Sequence, residues 1–234
     1  MAERVAASSL PGDPAGLHLT VTSEVGPALD GGRRQESHRL LVRRPRGGGV
    51  WRPAGTWSDS REHVGLVSVR RIPLAGTSVS AAVLAELGRS DGLDAELNTA
   101  VLSAVVTSRG GRARWAPAAR EILGKGPRSV LGDLVVLDGF SVSGGWAGAG
   151  LEVLLLGELI SRTVGGPGVV ATAPFFLKGS QGYQPTLAAL KAAGFRPLAG
   201  HVMVAECSGL PTPLDVGDRC ESSSARKTQL ILTS

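Results

Sequence analysis

A glycine-rich turn between an apolar segment and a helical pattern is the part of this sequence best suited to chemistry. Gly144, Gly145, Gly148 and Gly150 directly follow the apolar segment Leu134–Val142. The first turn of a helix leaves main-chain N–H groups without partners and carries partial positive charge, and glycine lets a ligand approach those groups closely. The turn therefore predicts a phosphate or pyrophosphate site, although a strand–helix turn without a ligand fits the same glycines.

Two common phosphate-binding motifs fit this turn poorly. A P-loop needs Gly-Lys-Ser or Gly-Lys-Thr where the helix begins, whereas residues 150–152 read Gly-Leu-Glu. A dinucleotide-binding fold places its glycines at the first βα turn, near the N-terminus, and an acidic residue after the next strand. Here the turn comes late in the chain, and the next apolar strand is followed by Ala-Pro at 173–174.

The segments around the turn have the pattern of a strand–helix–strand unit. Leu134–Val142 begins with a continuous apolar run, which is typical of a strand buried on both faces. Leu151–Ile160 has leucines at helical spacing, and Val169–Thr172 is a second short strand. Pro185–Ala193 is a further helix, which Gly194 ends. These segments predict two parallel strands joined by a crossover helix.

The rest of the chain supplies further elements and the domain boundaries. Residues 1–16 are expected to be a mobile segment, residues 17–207 one domain, and residues 208–234 an extension that adds a terminal strand. A helical pattern over Ser78–Val106 is interrupted at Gly88–Gly92 and predicts two helices. Apolar residues at alternate positions predict strands at Leu17–Val25, Ser37–Arg44, His63–Leu74, His201–Glu206 and Gln229–Leu232. Glycines and prolines predict an irregular loop at Pro45–Ser60, and a short helix is expected at Pro117–Leu123.

The order of these elements resembles the GNAT superfamily of N-acyltransferases. The residues that carry the resemblance are Leu134–Val142, then Trp-Ala-Gly-Ala-Gly-Leu-Glu-Val-Leu-Leu at 146–155, then Ala-Gly-Phe at 193–195. In that family a central strand leads to an Arg/Gln-x-x-Gly-x-Gly/Ala turn and an apolar helix, and a second helix ends in Gly-Phe. The turn looks especially like a bacterial branch that reads Trp-Arg-Gly-x-Gly-Leu-Gly. The resemblance implies an α/β (α+β) fold with a mixed, mostly antiparallel central sheet flanked by helices, in which two central parallel strands splay.

The resemblance also implies an N-acyltransferase that moves an acetyl or other acyl group from acyl-CoA, such as acetyl-CoA, to an amine. Main-chain groups of Phe140, Ser141 and Val142 would pair with the pantetheine arm, which enters where the strands splay after Val142 and around Thr172. The acceptor, a small-molecule or peptide amine, would approach from the N-terminal strands and helices. The amides implied as the pyrophosphate cradle belong to Ala147, Gly148, Ala149, Gly150, Leu151, Glu152 and Val153.

Catalysis in such a family needs a base for the amine and often a tyrosine as acid. Asp138 is the candidate base, because regular alternation places it on the same face as Phe140; an aspartate satisfied by nearby amides is the alternative. Glu96 and Asp94 are weaker candidates. The single tyrosine, Tyr183, precedes the family's usual position for the acid by several residues.

Two departures from the family pattern keep a second hypothesis open. Ala147 stands where the turn usually carries Arg or Gln, and Glu152 stands where Gly or Ala usually closes it. A carboxylate near a pyrophosphate is repulsive unless it is paired or points away. The alternative function is therefore a non-catalytic GNAT-fold binding or regulatory protein with a weakened CoA site.

Composition and charge limit which further partners, cofactors and cellular locations are expected. The net charge is +5, and an early basic cluster could attract nucleic acid, but Trp51 is its only aromatic residue, so a solvated surface is favoured. Cys207 and Cys220 form no Cys-x-x-Cys pair, so no metal is expected, and Cys207 has no evident partner as a nucleophile. The sequence has neither the pattern of a signal peptide nor an apolar helix long enough to span a membrane, which favours a cytoplasmic protein. A homodimer in which the predicted strand Gln229–Leu232 extends a neighbour's sheet stays open. The basic cluster comprises Arg33, Arg34, Arg39, Arg43, Arg44, Arg46 and Arg52.

Overall fold

Nine strands and four α-helices form in the part of the chain that the structure describes. The computed structural model describes residues 17–28, 34–45, 61–74, 93–109, 112–123, 132–143, 146, 151–164, 168–176 and 183–210. The strands are β1 His18–Ala28, β2 Arg34–Pro45, β3 Arg61–Ile72, β4 Val106–Arg109, β5 Arg112–Trp115, β6 Asp133–Val142, β7 Gly168–Thr172, β8 Arg196–Pro197 and β9 Met203–Glu206. The helices are α1 Leu93–Val105, α2 Pro117–Ile122, α3 Leu151–Thr163 and α4 Tyr183–Ala192, with 3₁₀ turns at Pro174–Phe176, Ala199–His201 and Cys207–Gly209.

Seven of these strands form one mixed sheet in the order β1-β2-β3-β6-β7-β9-β8. Strands β6 and β7 pair in parallel, and the other neighbours in this sheet pair antiparallel. The expected mixed α/β architecture with a mostly antiparallel sheet is confirmed, as is the parallel pair that α3 connects. Strands β4 and β5 form a separate hairpin that the sequence patterns did not indicate.

Strand β6 lies between two hydrophobic cores. Val135 and Leu137 belong to the core that α3 and α4 cover, whereas Leu134 and Val136 belong to the core under α1, α2 and the β4–β5 hairpin. All four side chains are fully buried. The continuous apolar run of this strand is therefore required by burial on both faces, because each face packs against helices.

The parallel ladder between β6 and β7 is short. It comprises four residue pairs and ends with Val136 opposite Ala171. One position further on, the Thr172 hydroxyl donates a 2.9 Å hydrogen bond to the Leu137 carbonyl oxygen, and both groups are buried. A side chain thus replaces the main-chain ladder at this point, while β6 continues to Val142.

A β-bulge interrupts the pairing of β6 with β3. Ser68 is opposite Gly139 and Val69 is opposite Leu137, so Asp138 is the extra residue. A bulge of this kind shifts the alternation of the strand by one residue. Phe140 consequently packs in the same core as Leu137, three positions earlier rather than two.

Most of the predicted elements are present. Helix α1 is the second of the two helices predicted in Ser78–Val106, and α4 ends before Gly194, which has the left-handed φ of 92° that a helix-ending glycine adopts. The first of those two helices, the loop after Pro45, the N-terminal segment and the strand at Gln229–Leu232 lie outside the described residues. The domain boundaries stay predictions.

Replacing Thr172 with valine tests the hydrogen bond at the end of the parallel ladder. Thr172→Val preserves side-chain volume but leaves the Leu137 carbonyl without its hydroxyl donor. An unsatisfied buried group costs about 1–3 kcal/mol, so the free energy of unfolding should fall by that amount in urea titrations. The matched control is Thr163→Val, because the Thr163 hydroxyl contacts a carbonyl of its own helix that the helical main chain also uses. Equal losses for both variants would contradict the assigned role.

Candidate functional site

A polar groove of about 340 Å³ crosses the face of the sheet opposite α3 and α4. It spans the antiparallel strands β1, β2, β3 and β6, beside the core that α1 covers. Strand alternation places a polar or charged side chain at each groove-facing position of this region. The groove-lining polar residues are Thr22, Glu24, Gln35, Ser37, Arg39, Ser68, Arg70 and Asp138, and His38 on β2 also borders the groove.

The strand register arranges these side chains in rows across the sheet. Residues directly opposite each other in antiparallel strands have Cβ atoms about 5 Å apart. Each row therefore brings three side chains within reach of one small ligand. One row is Thr22, Arg39 and Ser68, and the next row is Glu24, Ser37 and Arg70.

Asp138 lies at the β6 end of both rows. The Ser68 hydroxyl donates a 2.6 Å hydrogen bond to one carboxylate oxygen, and the Arg70 guanidinium lies 3.2 Å from the other. Arg70 is only 7% exposed, so its charge is held near the sheet rather than in solvent. A carboxylate has about four lone-pair sites, so both oxygens of Asp138 retain capacity to accept from a ligand.

Gly139 is required by the side chain that faces it. A Cβ atom at this position would collide with the Ser68 hydroxyl oxygen, the same atom that donates to Asp138. The absence of a side chain at Gly139 therefore allows Ser68 to reach Asp138 across the bulge. The glycine is explained by this close approach.

The bulge overturns one expectation about Asp138. Regular alternation places Asp138 on the same face as Phe140, but Phe140 packs in the core under α3 and Asp138 bonds to Ser68 and Arg70 on the opposite face. That prediction was wrong because the extra residue in β6 shifts the alternation. Asp138 faces the polar groove instead.

The residues expected to contact a coenzyme are divided between described and undescribed parts of the chain. Phe140 and Val142 are buried, Ser141 is half-buried, and Thr172 is committed to the Leu137 carbonyl. The first turn of α3 buries Leu151, Glu152 and Val153, and Glu152 is 8% exposed. The expected cradle residues Ala147, Gly148, Ala149 and Gly150 lie outside the described residues.

The entrance to that turn is fixed to the sheet. The Ser143 hydroxyl donates a 2.6 Å hydrogen bond to the His63 carbonyl, and the Ser143 amide donates to the Val64 carbonyl at 2.7 Å. Trp146 is buried in the core, and the Arg44 guanidinium carbon lies 5.8 Å from the centroid of its ring. These contacts fix the positions of Ser143 and Trp146, the described residues between β6 and α3.

The weaker catalytic candidates lie elsewhere. Glu96 is exposed on α1, Asp94 belongs to the same helix, and Tyr183 is the first residue of α4. Burial, followed by the charge of Asp133, raises the pKa of the Cys207 thiol to about 12. The thiol therefore stays protonated near neutral pH, which excludes the easily formed thiolate that a nucleophile needs.

A second polar cluster lies on the sheet face under α3. The His38 ring is 7% exposed, with its Nδ1 2.9 Å from the Ser23 hydroxyl oxygen and its Nε2 3.3 Å from a Glu36 carboxylate oxygen. Arg71 bridges Glu36 at 3.1 Å and Asp133 at 2.7 Å. Burial lowers the pKa of His38, and the opposing attraction of Glu36 does not compensate for it.

Comparisons with protein-family models, curated proteins and solved structures give no match to this chain. Among the described residues, no group of three or more His, Cys, Asp or Glu side chains is placed to hold a metal ion. No helix in the described part of the chain combines the length and apolar character needed to span a membrane.

Apart from Asp138 and Arg39, which belongs to the basic cluster, the groove residues were missed by sequence reasoning. The signal was present in the alternation of Gln35, Ser37 and Arg39 along β2 and of Ser68 and Arg70 along β3. Such alternation is equally typical of a solvated sheet face. Only the strand order shows that these residues line one groove with Asp138.

A double-mutant cycle at Gly139 and Ser68 tests the contact that supports Asp138. Gly139→Ala should force the Ser68 hydroxyl away from Asp138 and lower the free energy of unfolding by about 1 kcal/mol or more. The same change in a Ser68→Ala background should cost less, because the obstructing hydroxyl is gone. Urea unfolding of the four proteins gives the coupling free energy, and strict additivity would contradict the close contact.

The buried His38 predicts a loss of stability in acid. Its pKa in the folded protein is below the ordinary value of 6.5, so the unfolded chain binds the proton more readily. The stabilisation is fully present above that value and is lost as the pH falls through the folded-state pKa. His38→Gln should therefore show a smaller decrease in free energy of unfolding between roughly pH 8 and pH 5. The control is His18→Gln, at an exposed position of β1, which should retain the decrease.

Proposed function

We propose that the protein is an N-acyltransferase of the GNAT type that transfers an acetyl or other acyl group from acyl-CoA to an amine. The observation that carries the proposal is the short parallel ladder: pairing of β6 with β7 ends at Val136 opposite Ala171, while β6 continues to Val142. Beyond Leu137, a pantetheine arm would lie along the extended backbone of β6. The glycine-rich turn and α3 follow directly in sequence, where the pyrophosphate would bind.

The bulge in β6 supports the same function. Bulges are frequent next to active sites because they redirect a side chain and the peptide groups beside it. Here Phe140 and Ser141, the residues expected beside the thioester, directly follow the bulge, and Asp138 faces the polar groove. The coenzyme and the amine would thus reach the same segment of β6 from different sides.

The reaction itself needs few groups from the protein. The amine nitrogen attacks the thioester carbonyl carbon, the C–S bond breaks, and the thiolate leaves with the electron pair. The nitrogen loses a proton as the amide forms, and the departing sulfur is finally protonated. Asp138 would hold the amine through a lone pair left by Ser68 and Arg70 and accept this proton directly or through water.

The burial of Glu152 favours the second candidate, a non-catalytic protein of the same fold. Its carboxylate is 8% exposed in the first turn of α3, where a negative charge is attracted to the positive end of the helix. A diphosphate would require the same region of positive potential. If the Glu152 carboxylate occupies this region instead of a diphosphate, the protein retains its fold but loses affinity for the coenzyme.

Calorimetry with acetyl-CoA, followed by detection of free CoA thiol with a panel of amines, separates the two candidates. The acyltransferase predicts measurable heat on binding and thiol release that depends on an amine. A folded protein that gives neither heat nor a thermal shift with acetyl-CoA excludes the transferase. The absence of binding supports the non-catalytic alternative with a weakened CoA site, and binding without release for any amine also contradicts the transferase.

A charge-neutral variant of Glu152 measures its opposition to the diphosphate. Glu152→Gln should bind acetyl-CoA about two- to fivefold more tightly, as expected for 0.3–1 kcal/mol at a helix N-terminus. Acetyl-pantetheine, which lacks the diphosphate, should bind both proteins equally. The matched control is Glu158→Gln, which removes one charge from the same helix at its Arg162 ion pair. Equal effects of both variants on acetyl-CoA would contradict a local role for Glu152.

A further inference from the structure

The polar groove carries both signs of charge in equal number. Arg39 and Arg70 are its cations, and Glu24 and Asp138 are its carboxylates. A groove with this balance gives little net attraction to a purely anionic or purely cationic ligand. It favours a ligand that carries both charges, because each charge then meets its complement.

The Asp138–Arg70 pair and the two other charges, Arg39 and Glu24, differ in how accessible they are to a ligand. Asp138 and Arg70 are tied to each other and held by Ser68, so their positions are fixed. Arg39 and Glu24 are exposed at the groove surface. A ligand carboxylate at Arg39 would also meet the hydroxyl of the neighbouring row member Thr22, whereas the Ser68 hydroxyl already donates to Asp138. A guanidinium beside a hydroxyl is a suitable carboxylate site, because the guanidinium donates two parallel hydrogen bonds.

The distance across the groove limits the ligand's length. Strand β3 separates Arg39 on β2 from Asp138 on β6, so their main chains are about 10 Å apart at two strand spacings. An arginine side chain is long and flexible enough to span much of that distance. An amine at Asp138 and a carboxylate at Arg39 must therefore belong to one small molecule.

We propose that the polar groove binds a small zwitterion of the amino-acid type, with its carboxylate at Arg39 and its amine at Asp138. This inference rests on the proposed function, in which the bound amine is the acyl acceptor. Asp138 is the end of the groove next to Phe140 and Ser141, so the amine would be the group presented to the thioester. The carboxylate at Arg39 would select amino acids over simple amines.

Binding in the absence of coenzyme tests the groove directly. The probes are the common amino acids and 4-aminobutyrate, compared with butylamine and butyrate, which each lack one of its charges. Calorimetry or ligand-observed NMR at millimolar probe should detect a zwitterion that binds at least about tenfold more tightly than the matched single-charge compounds, since a hydrogen bond to a charged group contributes about 1.5–3 kcal/mol. Equal affinity for butylamine and the zwitterions, or no binding of any probe, overturns the inference.

Charge-neutral variants locate the two ends of the ligand. Arg39→Gln should weaken binding of the zwitterion about tenfold or more and leave butylamine unaffected. The matched control is Arg34→Gln, which removes an exposed arginine from the same strand outside the groove and should change nothing. Asp138→Asn should weaken the zwitterion and butylamine alike. Equal effects of Arg39→Gln and Arg34→Gln contradict a carboxylate site at Arg39.

The two proposals fail in distinguishable ways. Zwitterion binding that depends on Arg39, in a protein that neither binds nor consumes acetyl-CoA, supports the groove and excludes the transferase. Acetyl transfer to amines regardless of a carboxylate, with KM unchanged by Arg39→Gln, supports the transferase and overturns the zwitterion site. A raised KM in Arg39→Gln for amino acids alone, with kcat retained, supports both.

Discussion

Burial of β6 on both faces is the constraint from which the arrangement of the site follows. Leu134 and Val136 pack against one set of helices while Val135 and Leu137 pack against the other, so this strand can occupy only the middle of the sheet. Its neighbours are an antiparallel strand on one side and a parallel strand on the other. Every candidate functional group described here is placed relative to this one strand.

The C-terminal half of β6 departs from burial on both faces at two consecutive positions. The β7 ladder ends first, where the Thr172 hydroxyl satisfies the Leu137 carbonyl in place of a main-chain amide. The bulge at Asp138 follows immediately and shifts the alternation. A buried carbonyl must keep a partner, so the first step needs the hydroxyl, and the second needs a glycine because Ser68 lies against it. Together they leave one face of β6 in the core under α3 and α4, at Phe140 and Val142, and turn the other face toward the polar groove at Asp138.

The sequence predicts the fold better than it predicts the site. Apolar runs and helical spacing locate β6, α3, β7 and α4, because burial imposes those patterns on the residues themselves. A bulge has no such imprint: Asp138-Gly139 reads as ordinary alternation until the partner strand is known. The groove is equally hidden, because Arg39 and Arg70 line the same groove as Asp138 only through the order of strands distant in sequence.

Two neighbouring arginines of β3 show that residue types alone do not identify which polar cluster on this sheet could bind a ligand. Arg71 bridges Asp133 and Glu36 on the α3 side, so both carboxylates are paired with one cation inside the cluster. Arg70 points to the opposite face and bonds to Asp138, a single carboxylate that lies beside exposed charges and an open volume. Residue types and ion pairs are alike in the two clusters. The difference is that Asp138 retains acceptor capacity beside an open volume, where a ligand can reach it.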